Sequence, residues 1–409
     1  MSAAAAIGSW FTVDPWDPGY GTAFDEELNA AGQGGGALEE SSAELDLDLE
    51  MPADRWRPID PDPSAPLPSK LLFLDGVRRI DAWIWVHRRD GNGASYGSNG
   101  NGLQPAPGIA ASFAAGLVCC DGVARVAEVT VERGLFTATA EAADIATAHA
   151  RYIARRADRG APDKLSLALQ RRLTETEVEL ALLFRAQRDG GDDLLVVDGP
   201  LRGRTHLDRT IGYIKTHHIA YLPAAQASVV AALSPGQRCP VFTMGTSWRR
   251  NSWYLRLPAA PGAPGVLGAL STSGSPSMPS ASGVPAASNA PTTSSVPSAS
   301  SIPATSGVPI TSGVPITSGV LAASGVPGPP GAPWSGVVRL ECSADLPPAA
   351  AIRLADQAAR LLPQLASSPH KDARAPQNLV PIGGLERELR RRLGDRELLY
   401  RALRAAALR

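Results

Sequence analysis

Cysteine is scarce in this chain: four residues in 409, two of them the adjacent pair Cys119 and Cys120. That supply cannot build a disulfide scaffold, and an adjacent pair has the spacing of neither a zinc finger nor a redox motif. Lysine is nearly absent as well. Lys70, Lys164, Lys215 and Lys371 are the only ones, and arginine supplies the rest of the 39 basic side chains. Net charge is also lacking, since 40 acidic residues bring the chain to −1. A polycationic, histone-like protein is thereby excluded, while a local basic groove is not. No apolar run reaches the roughly 18 residues that a membrane helix needs. The stretch MSAAAAIGSWFTVDP lacks a basic region and soon turns acidic, which makes a poor secretory signal, so a cytoplasmic location is expected. No GxxxxGK[ST] phosphate loop occurs, so any motor activity has to come from a partner.

What is present falls into four parts. Residues 1–69 carry 14 carboxylates against Arg55 and Arg57, are broken by proline and GQGGG, and read as an acidic, flexible N-terminal arm. Residues 70–258 read as the main part of a folded domain. LLFLDGVRRIDAWIWV predicts a strand, a tight turn and a second strand, and SFAAGLVCC and VARVAEVTVERGLF predict two more around the Asp121-Gly122 turn. Helices are predicted over 141–156 and 164–187, the latter with Leu173, Leu180 and Phe184 as its apolar stripe. DDLLVVDGPL predicts a short buried strand, and an Ala-rich helix near 223–233 and the strands CPVFTMG and SWYLRLP follow. Residues 259–333 hold no charge and repeat SGVPIT at a six-residue period, which reads as a long disordered insertion. Residues 334–409 resume the domain with a strand and a helix. They end in an arginine-rich helical tail, with eight arginines against four acids from Leu385 onward.

The chemistry centres on two similar segments, FLDG at 73–76 and VVDG at 196–199. Each sets an aspartate at the end of an apolar strand, a rigid mount, and follows it with a glycine that admits close approach. The order matters more than the dipeptides. An antiparallel meander, a helix, then a strand bearing a second aspartate is the ribonuclease-H-like order, an α/β mixed sheet with flanking helices. In that fold the first and fourth strands are neighbours, which brings Asp75 and Asp198 together. Two such carboxylates repel unless a cation or proton intervenes, and Mn2+ or Mg2+ with oxygen ligands is the usual answer. A third carboxylate is expected from the helix before the second aspartate. TETEVELALL offers Glu175, Glu177 and Glu179, of which Glu179 has the spacing that best leaves room for the helix end and a loop. Three or four carboxylates around two ions suit phosphodiester hydrolysis. Lys215 in IGYIKTHH is a candidate to counter phosphate charge. In SPHKDARAPQNLVPIGG, Asp372 or His370 is placed to complete a metal shell and Arg374 to meet a phosphate. Arg387, Arg390 and Arg391 share a broad helix face suited to a nucleic-acid backbone.

LLFLDG, the carboxylate-bearing helix, LLVVDGPL, GYIKT and the late helical region together resemble the NurA family of DNA end-resection nucleases, over most of 70–257 and 334–409. The resemblance implies a dimeric ribonuclease-H-like enzyme that degrades DNA from 5′ ends with manganese, alongside a hexameric HerA-type ATPase. By resemblance, Asp75 and Asp198 take the places of the two strand aspartates and Glu179 that of the helix glutamate. The C-terminus departs from the pattern. RAPQNLVPIGG has no histidine after Pro381, where the family shows a tyrosine followed by a histidine. The alternative reading is therefore a catalytically silent scaffold that binds DNA or the ATPase ring.

Overall fold

A computed structural model describes residues 9–15, 39–88, 105–187, 191–217, 219–258 and 334–409. The insertion read at 259–333 lies outside the described residues, as does the whole of segment 16–38. The strands are β1 (Ser9–Val13), β2 (Glu39–Glu40), β3 (Glu44–Asp46), β4 (Lys70–Arg88), β5 (Ala106–Cys120), β6 (Ala124–Thr137), β7 (Ile145–Ala146) and β8 (Arg151–Arg156). They continue as β9 (Asp193–Asp198), β10 (Thr210–Ile214), β11 (Ile219–Ala220), β12 (Phe242–Gly245), β13 (Arg249–Arg256) and β14 (Val337–Ser343). The helices are α1 (Pro162–Ala186), α2 (Ala224–Ala231), α3 (Pro348–Leu361), α4 (Val380–Arg392) and α5 (Arg396–Ala407).

Most strands join one mixed sheet in the order β3-β12-β13-β14-β10-β9-β4-β5-β6-β8-β7. At its centre β4, β5 and β6 form an antiparallel meander, β9 lies parallel to β4, and β10 lies parallel to β9. Strand residues alternate between faces, and the two cores follow that alternation. Leu72, Leu74, Leu195 and Val197 pack with Leu165, Leu169 and Leu173 of α1. Phe73, Val196 and Tyr213 pack with Leu354 of α3 and with Leu385 and Leu389 of α4. β5 is rich in alanine and glycine, which lets helices settle close to it. A Cβ on Gly116 would stand 2.8 Å from both Leu385 Cδ1 and Leu389 Cδ2.

Three expectations need correction. LLFLDGVRRIDAWIWV is one strand, not two with a turn: β4 pairs with β5 from Leu71 to Val86 and absorbs its irregularity as a bulge between Ile80 and Ala82. Asp75 therefore sits mid-strand. The helix predicted over 141–156 is instead the short strands β7 and β8, held by β6 and by the burial of Ile145 and Tyr152. The N-terminal segment is not a free arm where it is described. β1 pairs with β4, β3 pairs with β12, and Trp56 is buried. Glu50 forms a two-pronged pair with the buried Arg238, at 2.8 and 2.9 Å, and Arg238 also meets Asp356. The arginine-rich tail is helical as expected, in two helices that bury Leu385, Leu389, Leu399 and Leu403. Asp395 caps the second of them by accepting from Leu398 N at 2.7 Å.

Candidate active site

The parallel register of β4 and β9 pairs Leu74 with Val197, so the next residues, Asp75 and Asp198, emerge side by side. Asp75 is 8% exposed, and its Oδ1 accepts from the Gly76 amide at 2.7 Å. Lys215, one residue beyond β10, donates to Asp198 Oδ2 at 2.7 Å and to Asn378 Oδ1 at 3.1 Å. Asn378 is fully buried, and its amide in turn donates to Asp372 Oδ2. A hydrogen-bonded chain thus runs from Asp198 through Lys215 and Asn378 to Asp372.

The helix carboxylate that meets this pair is Glu177. It lies on the same stripe of α1 as Leu173, Leu180 and Phe184, at the helical intervals of four, three and four residues. That face packs on the sheet, so Glu177 is only 4% exposed. Its carboxylate reaches the backbone of Gly76, where an added Cβ would run into Glu177 Oε1 and stand 2.8 Å from Leu173 Cδ1. Arg204, from the segment between β9 and β10, is its ion-pair partner. Glu179 turns outward. Its side chain is 57% exposed and takes Arg172 at 2.9 Å, while the other side of Arg172 binds Glu132 at 2.7 Å.

Burial and crowding shape the charges here. Burial pushes the Asp75 carboxyl well above the usual carboxylate range, and Asp198 and then Glu177 add to the rise, against Lys215 and the Gly76 amide. Burial likewise raises Glu177, and Asp198 adds to it, with Arg204 opposing. Tyr213 is raised by burial and by Asp198; its hydroxyl donates to the Gln377 carbonyl at 2.6 Å, which fixes segment 372–378 over the site. At Asp372 burial opposes ionisation, but hydrogen bonds from Asn378 and the Arg374 backbone prevail and hold the carboxyl below its ordinary value.

The three carboxylates open onto a groove of about 1360 Å³. Its lining also carries Arg78, Arg171, Arg202, His206, Arg374 and Arg390, interspersed with the carboxylates of Glu175, Glu179 and Glu386. Two of the predicted basic contacts thus stand at the groove. Arg374 pairs with Glu386 at 2.6 Å, and Arg390 pairs with the same glutamate at 2.9 Å. Arg387 and Arg391 are exposed elsewhere on α4, the latter paired with Glu388 at 2.8 Å. Lys215 stands beside Asp198 rather than on the groove wall, and His370 is exposed with Nε2 3.4 Å from Ser368 Oγ.

Sequence reasoning brought Asp75, Asp198 and Lys215 together, offered Glu177 but preferred Glu179, and gave no role to Arg204 or Asn378. A signal for Glu177 existed: a carboxylate inside an apolar stripe is committed to burial. Among the described residues, no group of three His, Cys, Asp or Glu side chains stands at metal-coordinating spacing, which accords with Lys215 and Arg204 each occupying a carboxylate. No protein-family model matches the chain, and no curated protein shows significant similarity to it.

Proposed function

We propose that this chain is a metal-dependent deoxyribonuclease of the NurA kind. The observation that carries the reading is the pairing of Asp75 and Asp198 on adjacent parallel strands in an open groove lined by both arginines and carboxylates. The central order β6-β5-β4-β9-β10, with β5 antiparallel to both neighbours, supports a ribonuclease-H-like sheet.

The residues fit a hard divalent cation. Three carboxylates meet two cationic side chains: Arg204 pairs with Glu177 and Lys215 with Asp198, while burial and the neighbouring Asp198 favour a proton on Asp75, a place that a cation could take instead. Oxygen donors of this kind suit Mg2+ or Mn2+. Asp75, Glu177 and Asp198 would hold the metal, in one or two ions; Asp372 is tied to Asp198 only through Asn378 and Lys215. When bound, such ions supply a hydroxide-like nucleophile at neutral pH and offset charge on the leaving oxygen. The chain's own groups do the rest. Lys215 holds Asp198 in place. Arg78, Arg171, Arg202 and His206 line the groove as contacts for successive backbone phosphates. The open shape admits a polymer. Action from 5′ ends, a homodimer, a HerA-type ATPase partner, a role in double-strand break resection and a cytoplasmic location follow from the resemblance. No helix of the described residues is long and apolar enough to cross a membrane.

The scaffold reading has an observation of its own. Lys215 and Arg204 neutralise Asp198 and Glu177 as a structural cluster would, and the C-terminal segment has no histidine after Pro381. One assay separates the two: end-labelled linear DNA incubated with Mn2+ or Mg2+ and wild type, Asp75→Ala or Asp198→Ala. Manganese-dependent shortening that both substitutions abolish establishes the nuclease, and the labelled end gives its direction. DNA left intact by folded wild type, even with a HerA-type ATPase present, leaves the scaffold.

A further inference from the structure

Arg204 is an unusual groove residue. Its side chain is 7% exposed although the groove is open, and its guanidinium turns inward to Glu177, to Pro200 O at 3.0 Å and to Thr174 Oγ1 at 3.4 Å. Its buried Nε has no partner among the described residues, so the fork is incompletely satisfied in this position. The backbone that carries it is secured independently. Arg204 N donates to Leu201 O at 2.7 Å, Leu207 N to Arg204 O at 3.1 Å, and Leu201 N to Glu341 Oε1 at 2.6 Å. The side chain can therefore leave Glu177 without unravelling the segment. Lys215 differs: Asp198 and Asn378 hold it off the groove wall, and Asn378 is itself held by Asp372.

We infer that Arg204 is an exchangeable counter-ion, which holds Glu177 in the cation-free protein, yields it to an entering divalent cation, and then serves the groove as a phosphate contact. The inference rests on the nuclease reading. Its physical basis is competition. A guanidinium and a divalent cation cannot both sit close to one buried carboxylate without repelling each other, so binding of the cation must work against Arg204. Once displaced, the guanidinium joins Arg202 and His206 of the same segment, both already in the lining. Its planar fork matches a phosphate in two-pronged geometry.

Calorimetric titration of the full chain with Mn2+, without DNA, tests this in wild type, Arg204→Gln and Arg204→Lys. The glutamine variant removes the competing charge, and its Mn2+ affinity should rise by about tenfold or more. The lysine variant keeps the charge, and its affinity should stay near that of wild type; this separates charge from packing. In calcium, where DNA should stay uncut, Arg204→Gln should bind single-stranded DNA more weakly than wild type. Without a divalent cation the two should bind alike. Equal Mn2+ affinity in wild type and Arg204→Gln overturns the exchange while leaving a metal-binding, DNA-cleaving enzyme intact. Absence of Mn2+ binding in all three proteins overturns both readings at once.

Discussion

Replacing Asp75 by asparagine should flatten the pH dependence of the protein's stability. In the folded chain the Asp75 carboxyl titrates above its ordinary 3.8, because burial strips it of water and Asp198 stands on the next strand. Neighbouring strands run about 4.8 Å apart, and two carboxylates at about 5 Å repel by roughly 3 kcal/mol at an effective dielectric near 20. The folded state therefore keeps its proton at pH values where the unfolded chain has already released it. The stabilisation this brings is complete below the unfolded value and is lost as pH rises through the folded one. Across that window, one differential proton corresponds to a decline of about 1.4 kcal/mol per pH unit. Asparagine cannot ionise, so the variant lacks this decline and should be the more stable protein at about pH 7.5. Urea unfolding of both proteins from about pH 4 to about pH 8 measures it, and a Glu177→Gln background removes the coupled contribution of that neighbour. Parallel stability curves would refute the argument, since Asp75 would then titrate alike in the folded and unfolded chains.

Two further outcomes are expected. Glu177→Gln should reduce DNA cleavage on the order of a hundredfold or more, whereas Glu179→Gln should stay within a few-fold of wild type. The ratio of initial rates on one labelled substrate decides between the two glutamates. Glu50→Ala should cost about 3 kcal/mol in urea unfolding, because it leaves the buried Arg238 with Asp356 as its remaining carboxylate partner. A change below about 0.5 kcal/mol would place the 44–62 segment among ordinary surface decoration.

The legible part of this sequence was its order. A meander, a helix and a strand with a second aspartate determine which strands become neighbours, so the meeting of Asp75 and Asp198 could be read before any coordinates. The elements that escaped depend on distant partners. Asp75-Gly76 spells a turn locally, yet the small residues of β5 pair alongside it, Asp75 opposite Gly116 and Gly76 opposite Ala115, and keep the strand straight. The alanine-rich stretch over 141–156 has the composition of a helix. Its strand conformation is imposed by β6 and by Tyr152, whose hydroxyl reaches the buried Asp81 at 3.0 Å. The acidic segment looked solvated because the arginine that receives Glu50 lies at position 238. The exchange of Glu179 for Glu177 is a different kind of miss. Loop-length reasoning favoured the later glutamate, while the apolar stripe, already visible, selected the one it contained.

The hairpin of β13 and β14 carries a consequence for how this chain can change over time. Arg256 is paired with Val337, and Leu257 N donates to Gly336 O at 2.8 Å, so the two ends that flank residues 259–333 are held together at one spot on the sheet. Doubling the length of such an excursion costs only about 0.6 kcal/mol of closure entropy. Because the flanking residues are fixed to each other by the strand ladder, a six-residue SGVPIT unit can be gained or lost in copying at little closure cost. The same spot is a ready place to splice in a fluorescent label or an affinity handle.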